Sequence, residues 1–305
     1  MILIDNIHNC RIKKSAVALG KFDGVHLGHQ AILEELKKKR DEDTKTVVIT
    51  FSVSPEAVIF DKRLKYLMTS REKQVYFESS GIDYLIDIKL EKAFLNTAAQ
   101  DFVTKYLVER LGVTKVVCGK NFRFGRDRQG DIEFLCRMGQ TFGFETKIVE
   151  YVSVNGTKVS STKIRAEVLN GHMEQANAML GHSYSITGVV EHGRELGRTI
   201  SFPTVNIQPP SDKLLPPNGV YVSECIIAGE SMAAITNLGR KPTVGGQKIG
   251  AETHIFDYSG DLYGQKVTIN FLKFLRSEKK FASVAELQKQ IKKDIMCAKK
   301  DYFGM

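Results

Sequence analysis

The pattern of apolar residues changes at about Gly181, and that change constrains the fold more than any other feature of the chain. Before it, short β-rich runs alternate with amphipathic stretches. The candidate strands are 16–20, 46–51, 84–88, 115–119 and 146–152, with candidate helices at 31–40, 71–80 and 98–111 between them. Repeated β-α units require right-handed crossovers and build a parallel sheet, whose ligands sit at the carboxyl ends of the strands. After it, strand-like runs follow one another directly, at 185–190, 220–225, 232–236, 252–256 and 265–274. Prolines crowd the first long connection (Pro203, Pro209, Pro210, Pro216, Pro217). This second pattern reads as a compact antiparallel barrel or sandwich. A boundary near Ser183 therefore gives an α/β domain over 1–183 and a β domain over 184–305.

Local signals agree with this division. Thr69-x-x-Glu72, Thr97-x-x-Gln100 and Ser283-x-x-Glu286 have the spacing of capping boxes, and Gly112 stands where a helix should stop. The last of these boxes opens a terminal helix with apolar Val284, Leu287 and Ile291 on one stripe. The 305 residues are 42% hydrophobic, enough for two cores without disulfide or metal staples. No apolar run approaches a membrane span, and no secretory signal is visible at the start. The five cysteines are scattered without a Cys-x-x-Cys pair, which argues against a disulfide framework or a zinc site and suits a reducing cytoplasm. The net charge of +9 is spread over both halves and suits small anionic ligands such as nucleotides. Motifs that read nucleic-acid grooves or bind RNA are missing, so nucleic acid is not an expected partner. Oligomeric state is left open.

Two segments carry chemistry in the first half. Residues 20–29, Gly-Lys-Phe-Asp-Gly-Val-His-Leu-Gly-His, end the first full strand and begin the first helix. Free amides and the helix dipole at such a junction attract phosphate. Gly24 and Gly28 let backbone approach a ligand, with Gly20 and Phe22 in the same turn. His26 and His29 can donate hydrogen bonds to phosphate oxygens as charge develops there. Further on, Ser160-Ser161-Thr162 precedes Ile164-Arg165. Hydroxyls at a helix start cap it and also bind phosphate, and Arg165 can make a paired contact to phosphate oxygens.

The second half has its own set. Gly193 and Gly197, with Arg198, suggest a loop that wraps phosphates through backbone N–H groups, although a solvated hairpin loop would look the same. Thr204 and Asn206 lie two apart and face the same way on an extended strand. A hydroxyl and an amide oxygen are suitable hard ligands for Mg²⁺, and a self-bonded Pro-Thr-x-Asn turn is the alternative. Glu252 lies in a strand-like run, within Glu-x-His.

Taken together, these residues resemble a known family. His-x-Gly-His with a later Ser-Ser-Thr-x-Ile-Arg resembles the nucleotidyltransferase superfamily. The longer matches are residues 20–29, Asn121-Phe122-Arg123-Phe124-Gly125 with Gly130-Asp131, and residues 160–165 leading to Gly171 and Leu180-Gly181. In the second half, Gly-x-x-x-Gly-Arg, Pro-Thr-x-Asn, Asn-x-Gly-x-x-Pro-Thr and Glu-x-His recur in the order of riboflavin kinase modules. The chain thus resembles the bacterial bifunctional riboflavin kinase/FAD synthetase family over nearly its whole length.

The resemblance implies a Rossmann-like nucleotidyltransferase domain, then a six-stranded antiparallel barrel with a terminal helix. It implies that the barrel phosphorylates riboflavin to FMN and the first domain adenylylates FMN to FAD, both with ATP and Mg²⁺. His26 and His29 would neutralise charge at the α-phosphate, and Arg165, Ser161 and Thr162 would hold pyrophosphate. Asn121 would contact substrate phosphate or ribose, and Phe122 and Phe124 would flank the flavin or line the core. Glu252 would be the base, Thr204 and Asn206 the magnesium ligands, and Gly193, Gly197 and Arg198 part of the nucleotide loop. The chain departs from the family pattern at Val53-Ser54, where proline and histidine are frequent, and at Lys21, Ser201 and Val205. Retention of only one activity, and a flavin-binding regulator on a decayed enzyme, are the alternatives.

Overall fold

The computed structural model describes residues 1–38, 41–51, 64–89, 92–192, 202–243 and 246–304. The chain divides into two compact units, Met1–Ser161 and Thr162–Met305.

The first unit is built on six strands: β1 (Ile2–Ile4), β2 (Ser15–Leu19), β3 (Lys45–Phe51), β4 (Tyr84–Ile88), β5 (Val113–Gly119) and β6 (Glu145–Val149). They form one parallel sheet in the order β1-β4-β3-β2-β5-β6. Strand direction of succession reverses between β2 and β5, so the ligand crevice of such a sheet falls at their carboxyl ends. Alternation along the strands feeds two cores. Val17, Leu19, Val47, Ile49, Val116 and Cys118 face one side, against Phe102, Tyr106 and Leu135. Ala16, Ala18, Val48, Leu85 and Val117 face the other, against Ile32, Leu33, Leu36 and Phe77. Burial pushes the Cys118 thiol up to about 12, so it packs as a small apolar residue.

Helix α1 (Leu27–Lys37) follows β2, and α2 (Ser70–Ser79) precedes β4. The Thr69 box forms as expected: the Glu72 amide donates to Thr69 Oγ1 at 3.2 Å and the Thr69 amide to Glu72 Oε2 at 2.8 Å. The Thr97 box does not form. The helical run starts at Ala99 behind Ala98, which offers no side-chain cap, and continues as a π-helix over Phe102–Val108. The Thr97 carbonyl instead accepts the Arg126 amide, which holds Thr97 outside the helix. Gly112 ends that run at φ +50°, where a Cβ would stand 2.2 Å from the Lys13 carbonyl oxygen. Helix α3 (Ile132–Phe142) precedes β6, and a small hairpin, β7 (Ser153–Val154) with β8 (Thr157–Lys158), follows it.

The second unit takes in most of α4 (Ser161–Leu169), then α5 (Met173–Leu180) and six long or short strands. These are β9 (Tyr184–Glu191), β10 (Val205–Ile207), β11 (Gly219–Ile227), β12 (Glu230–Thr243), β13 (Gly246–Ile255) and β14 (Lys266–Ser277). They close into a barrel in the order β10-β13-β12-β11-β14-β9, every pair antiparallel. Helix α5 groups with the barrel because Asn177 donates to the Phe271 carbonyl at 2.8 Å and accepts the Tyr184 amide at 2.7 Å. Inside the barrel, Ser223, Thr236 and Thr253 form a hydroxyl ladder with steps of 2.8 Å, so these buried polar groups are satisfied.

Helix α6 (Val284–Ala298) starts at Ser283, whose hydroxyl accepts the Glu286 amide at 3.2 Å, while the Glu286 carboxylate reaches back to the Ala282 amide rather than to Ser283. Val284, in the first turn, is 61% exposed, while Leu287 and Ile291 are half-buried and lie on the face that buries Asp294 and Ala298. On that face the Arg276 guanidinium grips the Asp294 carboxylate at 2.8 Å.

Candidate functional site

In the first unit, the turn after β2 is shaped by a buried ring. Phe22 is fully buried at φ +49°, and its ring would lie 3.0 Å from a Cβ at Gly20, so a side chain there would crowd it. Gly24 takes φ +82°, and Val25 follows at φ +36°, a conformation costly for a β-branched residue. The turn is over-determined by long-range bonds. Asp23 Oδ1 accepts the Leu67 amide at 2.9 Å and the Met68 amide at 3.3 Å. The Asp23 carbonyl accepts the Ser161 hydroxyl at 2.9 Å, and the Lys21 carbonyl accepts Thr50 Oγ1 at 2.9 Å.

This frame delivers His26 to the N-cap of α1. Its Nδ1 accepts the His29 amide at 3.3 Å, which places the proton of the neutral ring on Nε2. The His29 ring stacks on it, with centroids 3.7 Å apart and planes 14° apart, and Phe22 supports His29 at 5.0 Å. Gly28 makes room for the stack, since a Cβ there would stand 3.2 Å from the His26 ring. Burial first, then the His26 charge, then the Lys73 ammonium, hold His29 well below the usual imidazole pKa. His29 is therefore a neutral donor in neutral solution. The pair lies at a helix N-terminus at the carboxyl end of β2, where an anion is favoured.

The adjacent strand β5 supplies the opposite side of the crevice, since Leu19 and Cys118 are in register. Beyond Gly119 comes Asn121, exposed, with the Phe122 amide turned back to the Gly119 carbonyl at 3.0 Å. The two phenylalanines separate. Phe124 is 8% exposed in the aromatic core, caged by Gly130 and Phe102, while Phe122 stacks on it at 5.6 Å and is half-buried. Ser161 is tied to the turn through Asp23. Thr162 and Arg165 lie on α4, three residues apart and thus on one face of the helix.

In the second unit, strand register assembles a row that spacing alone could not give. Asn206 on β10 stands directly opposite Glu252 on β13, and Asn237 on β12 stands opposite Glu252 from the other side. Directly opposed residues share a face. The row Asn206–Glu252–Asn237 is half-buried and lies on the face away from the Thr236–Thr253 ladder. Asn206 Nδ2 is directed to the Thr204 carbonyl at 3.5 Å. His254, two residues past Glu252, meets the Pro203 carbonyl through Nδ1 at 2.8 Å and packs edge-on to Phe202 at 5.6 Å. This bond anchors the chain just before Thr204. A cavity of about 280 Å³ opens beside Thr204, bounded by Val190, Thr253, Tyr258, Leu262 and Tyr263. Tyr263 stacks on His192 at 3.7 Å. No cluster of three or more His, Cys, Asp or Glu side chains arranged for a metal occurs among the described residues.

Gly193, Gly197 and Arg198, and the departures at Val53-Ser54 and Ser201, lie outside the described residues. Sequence reasoning missed Asp23 as the knot of the turn, Asn237 as a member of the row with Asn206 and Glu252, and the Tyr258–Tyr263 wall of the cavity. Only Asn237 had a signal, since it stands in a quoted motif and on a strand antiparallel to that of Glu252.

Comparisons with known proteins fall on these two units. A family model for FAD synthetase matches residues 9–163, and one for riboflavin kinase matches residues 180–302. The bifunctional riboflavin kinase/FMN adenylyltransferase of Escherichia coli strain K12 is 36% identical over 100% of this chain and 99% of its own length. The protein of that description from Haemophilus influenzae is 36% identical over 98% of each chain. A crystal structure from Streptococcus pneumoniae, titled a macrolide-efflux protein, superposes with a TM-score of 0.88 at 30% identity, covering 98% of both chains. Among the described residues no helix is long and apolar enough to cross a membrane. With matches of this length in both units and in this order, the chain belongs to the family of bifunctional riboflavin kinases/FMN adenylyltransferases.

Proposed function

We propose that the two activities of this family divide over the chain at about Ser183, with adenylyl transfer in residues 1–183 and riboflavin phosphorylation in residues 184–305. The chain is a transferase that makes FMN from riboflavin and FAD from FMN, with ATP as co-substrate. The observation that carries the reading is the coexistence of a stacked His26–His29 pair at a helix N-terminus and an opposed Asn206–Glu252 pair on a closed barrel.

In adenylyl transfer, the FMN phosphate is already an anion and needs no base. The chain has to align it and stabilise charge at the α-phosphate. His26 and His29 donate to that phosphate, aided by the amide-rich turn of Gly20, Phe22, Gly24 and Gly28. Arg165, Thr162 and Ser161 hold the departing pyrophosphate. Asn121 contacts substrate phosphate or ribose, Phe122 flanks the flavin, and Phe124 supports it from the core.

Phosphorylating an alcohol is different, because the ribityl hydroxyl must lose a proton. Glu252 accepts that proton. Thr204 and Asn206 fit Mg²⁺: two neutral hard oxygens leave most of its coordination to phosphates and water, as this ion prefers. When bound, Mg²⁺ neutralises charge on the transferring phosphates. His254 holds the Thr204 backbone in place for it. The cavity beside Thr204 takes the nucleotide, and the resemblance gives Gly193, Gly197 and Arg198 the role of contacting its phosphates. The substrates are small molecules, and the cytoplasm, where riboflavin and ATP meet, is the expected compartment.

The test is chromatography of purified protein with riboflavin, ATP and Mg²⁺ over time. FMN should appear first and FAD after it. FMN that accumulates without FAD would remove the adenylyl-transfer half of the proposal, and flavin binding without either product would leave a regulator. A finer check addresses the stack. Gly28→Ala should lower FAD formation from FMN by about tenfold, or ~1.4 kcal/mol at the barrier, with FMN formation unchanged. An unaltered FAD rate would mean that the His26 ring does not need its present place.

A further inference from the structure

The chemistry above gives no task to Lys73, a buried ammonium whose charge reaches the histidine pair. Lys73, on α2, is 5% exposed. Its ammonium donates to the Phe51 carbonyl at 2.9 Å, at the carboxyl end of β3. Two carboxylates act on its charge: Asp87, in register with Thr50 next to Phe51, and Asp23, whose bonds to the amides of Leu67 and Met68 hold it at the start of α2. Its charge also reaches His29, which stacks on His26. Burial opposes an ammonium in this place and the two carboxylates support it.

Asp23 cannot be dispensed with, because it ties the amides of residues 67 and 68 to the turn. Yet a carboxylate in a phosphate site repels the ligand. We propose that Lys73 is a positioning residue of the adenylyl-transfer site, whose buried ammonium screens Asp23 and Asp87 from the triphosphate that meets His26 and His29. The inference rests on the assignment of that turn to ATP. Lys73 acts through charge and through the end of β3. It touches no reacting atom.

The prediction concerns charge and not shape. Lys73→Met should raise KM for ATP in FAD formation by at least about tenfold and change kcat less, since two unscreened carboxylates oppose substrate binding. Asp23→Asn keeps an oxygen acceptor for the two amides and removes one charge. Added to Lys73→Met, it should recover most of the lost affinity, as should Asp87→Asn. Lys73→Arg, which keeps the charge, should stay within about threefold of the parent. An unchanged KM in Lys73→Met overturns the proposal. So does a loss that neither aspartate substitution recovers, because that pattern belongs to packing. If Lys73→Met does not fold, Lys73→Arg decides: a tenfold or greater rise in KM rejects the proposal. Parent protein that makes no FAD from FMN would instead reject the site assignment itself.

Discussion

Glu252→Gln should lower FMN formation from riboflavin by about 10³-fold, within the 10²–10⁴ range of a lost general base, and leave FAD formation from FMN within about twofold. Glutamine keeps the size and one oxygen acceptor but cannot take a proton at neutral pH. Its backbone position is fixed by pairing on both sides, opposite Asn206 and Asn237, so the strand has no reason to shift. Glu252→Ala should do the same with a further loss of alignment. The two rates are measured separately, starting one assay from riboflavin and the other from FMN. Equal loss of both in a folded protein would break the division of labour between the units. A kinase rate within tenfold of the parent would move the base elsewhere.

His29→Ala should give the mirror image: FAD formation down by about 10²–10³-fold, the usual cost of removing one preorganised donor at a developing oxyanion, with FMN formation intact. Two imidazoles stacked 3.7 Å apart cannot both carry charge in a buried place. His29 therefore offers a directed N–H and no standing charge until phosphate arrives. His29→Asn, which retains an N–H donor, should recover part of the loss, whereas His29→Phe, which retains only the stack, should recover none. If the phenylalanine variant worked as well as the asparagine variant, the ring would serve packing alone.

How much of this was legible in the sequence depends on the range over which each feature is determined. The βα alternation, the Thr69 box and the Gly112 stop were readable because they are set within a few residues. The Thr97 box failed for a long-range reason, since Arg126 claims the Thr97 carbonyl. The apolar stripe on α6 was readable at Leu287 and Ile291, but the buried Asp294 on the same face was not, because its partner Arg276 is 18 residues away. Strand β10 escaped notice because three residues among prolines carry no periodicity. The choice between barrel and sandwich depends on which edge strands meet, and only the pairing of β9 with both β10 and β14 decides it. In the phosphate turn the histidines and glycines announced themselves by spacing. Asp23 and Lys73 did not, because their partners are 44 and 22 residues away. Phe122 and Phe124 look alike in sequence, and only the cage around the second tells them apart.

The ring of the second unit is closed by its shortest stave. Strand β10 contributes three residues between β9 and β13, and it carries one proposed cation ligand while its neighbour Thr204 carries the other. A barrel has no raw edges, but one that parts at a single stave becomes an open sheet with two. Local opening free energy is lowest where few backbone bonds hold a segment. Any ligand that bridges β10 to the phosphates thus also fastens the ring, and part of its binding energy becomes mechanical closure of the whole domain. With the cation ligands proposed on β10, nucleotide affinity and resistance to edge-to-edge aggregation become two readings of the same three-residue clasp.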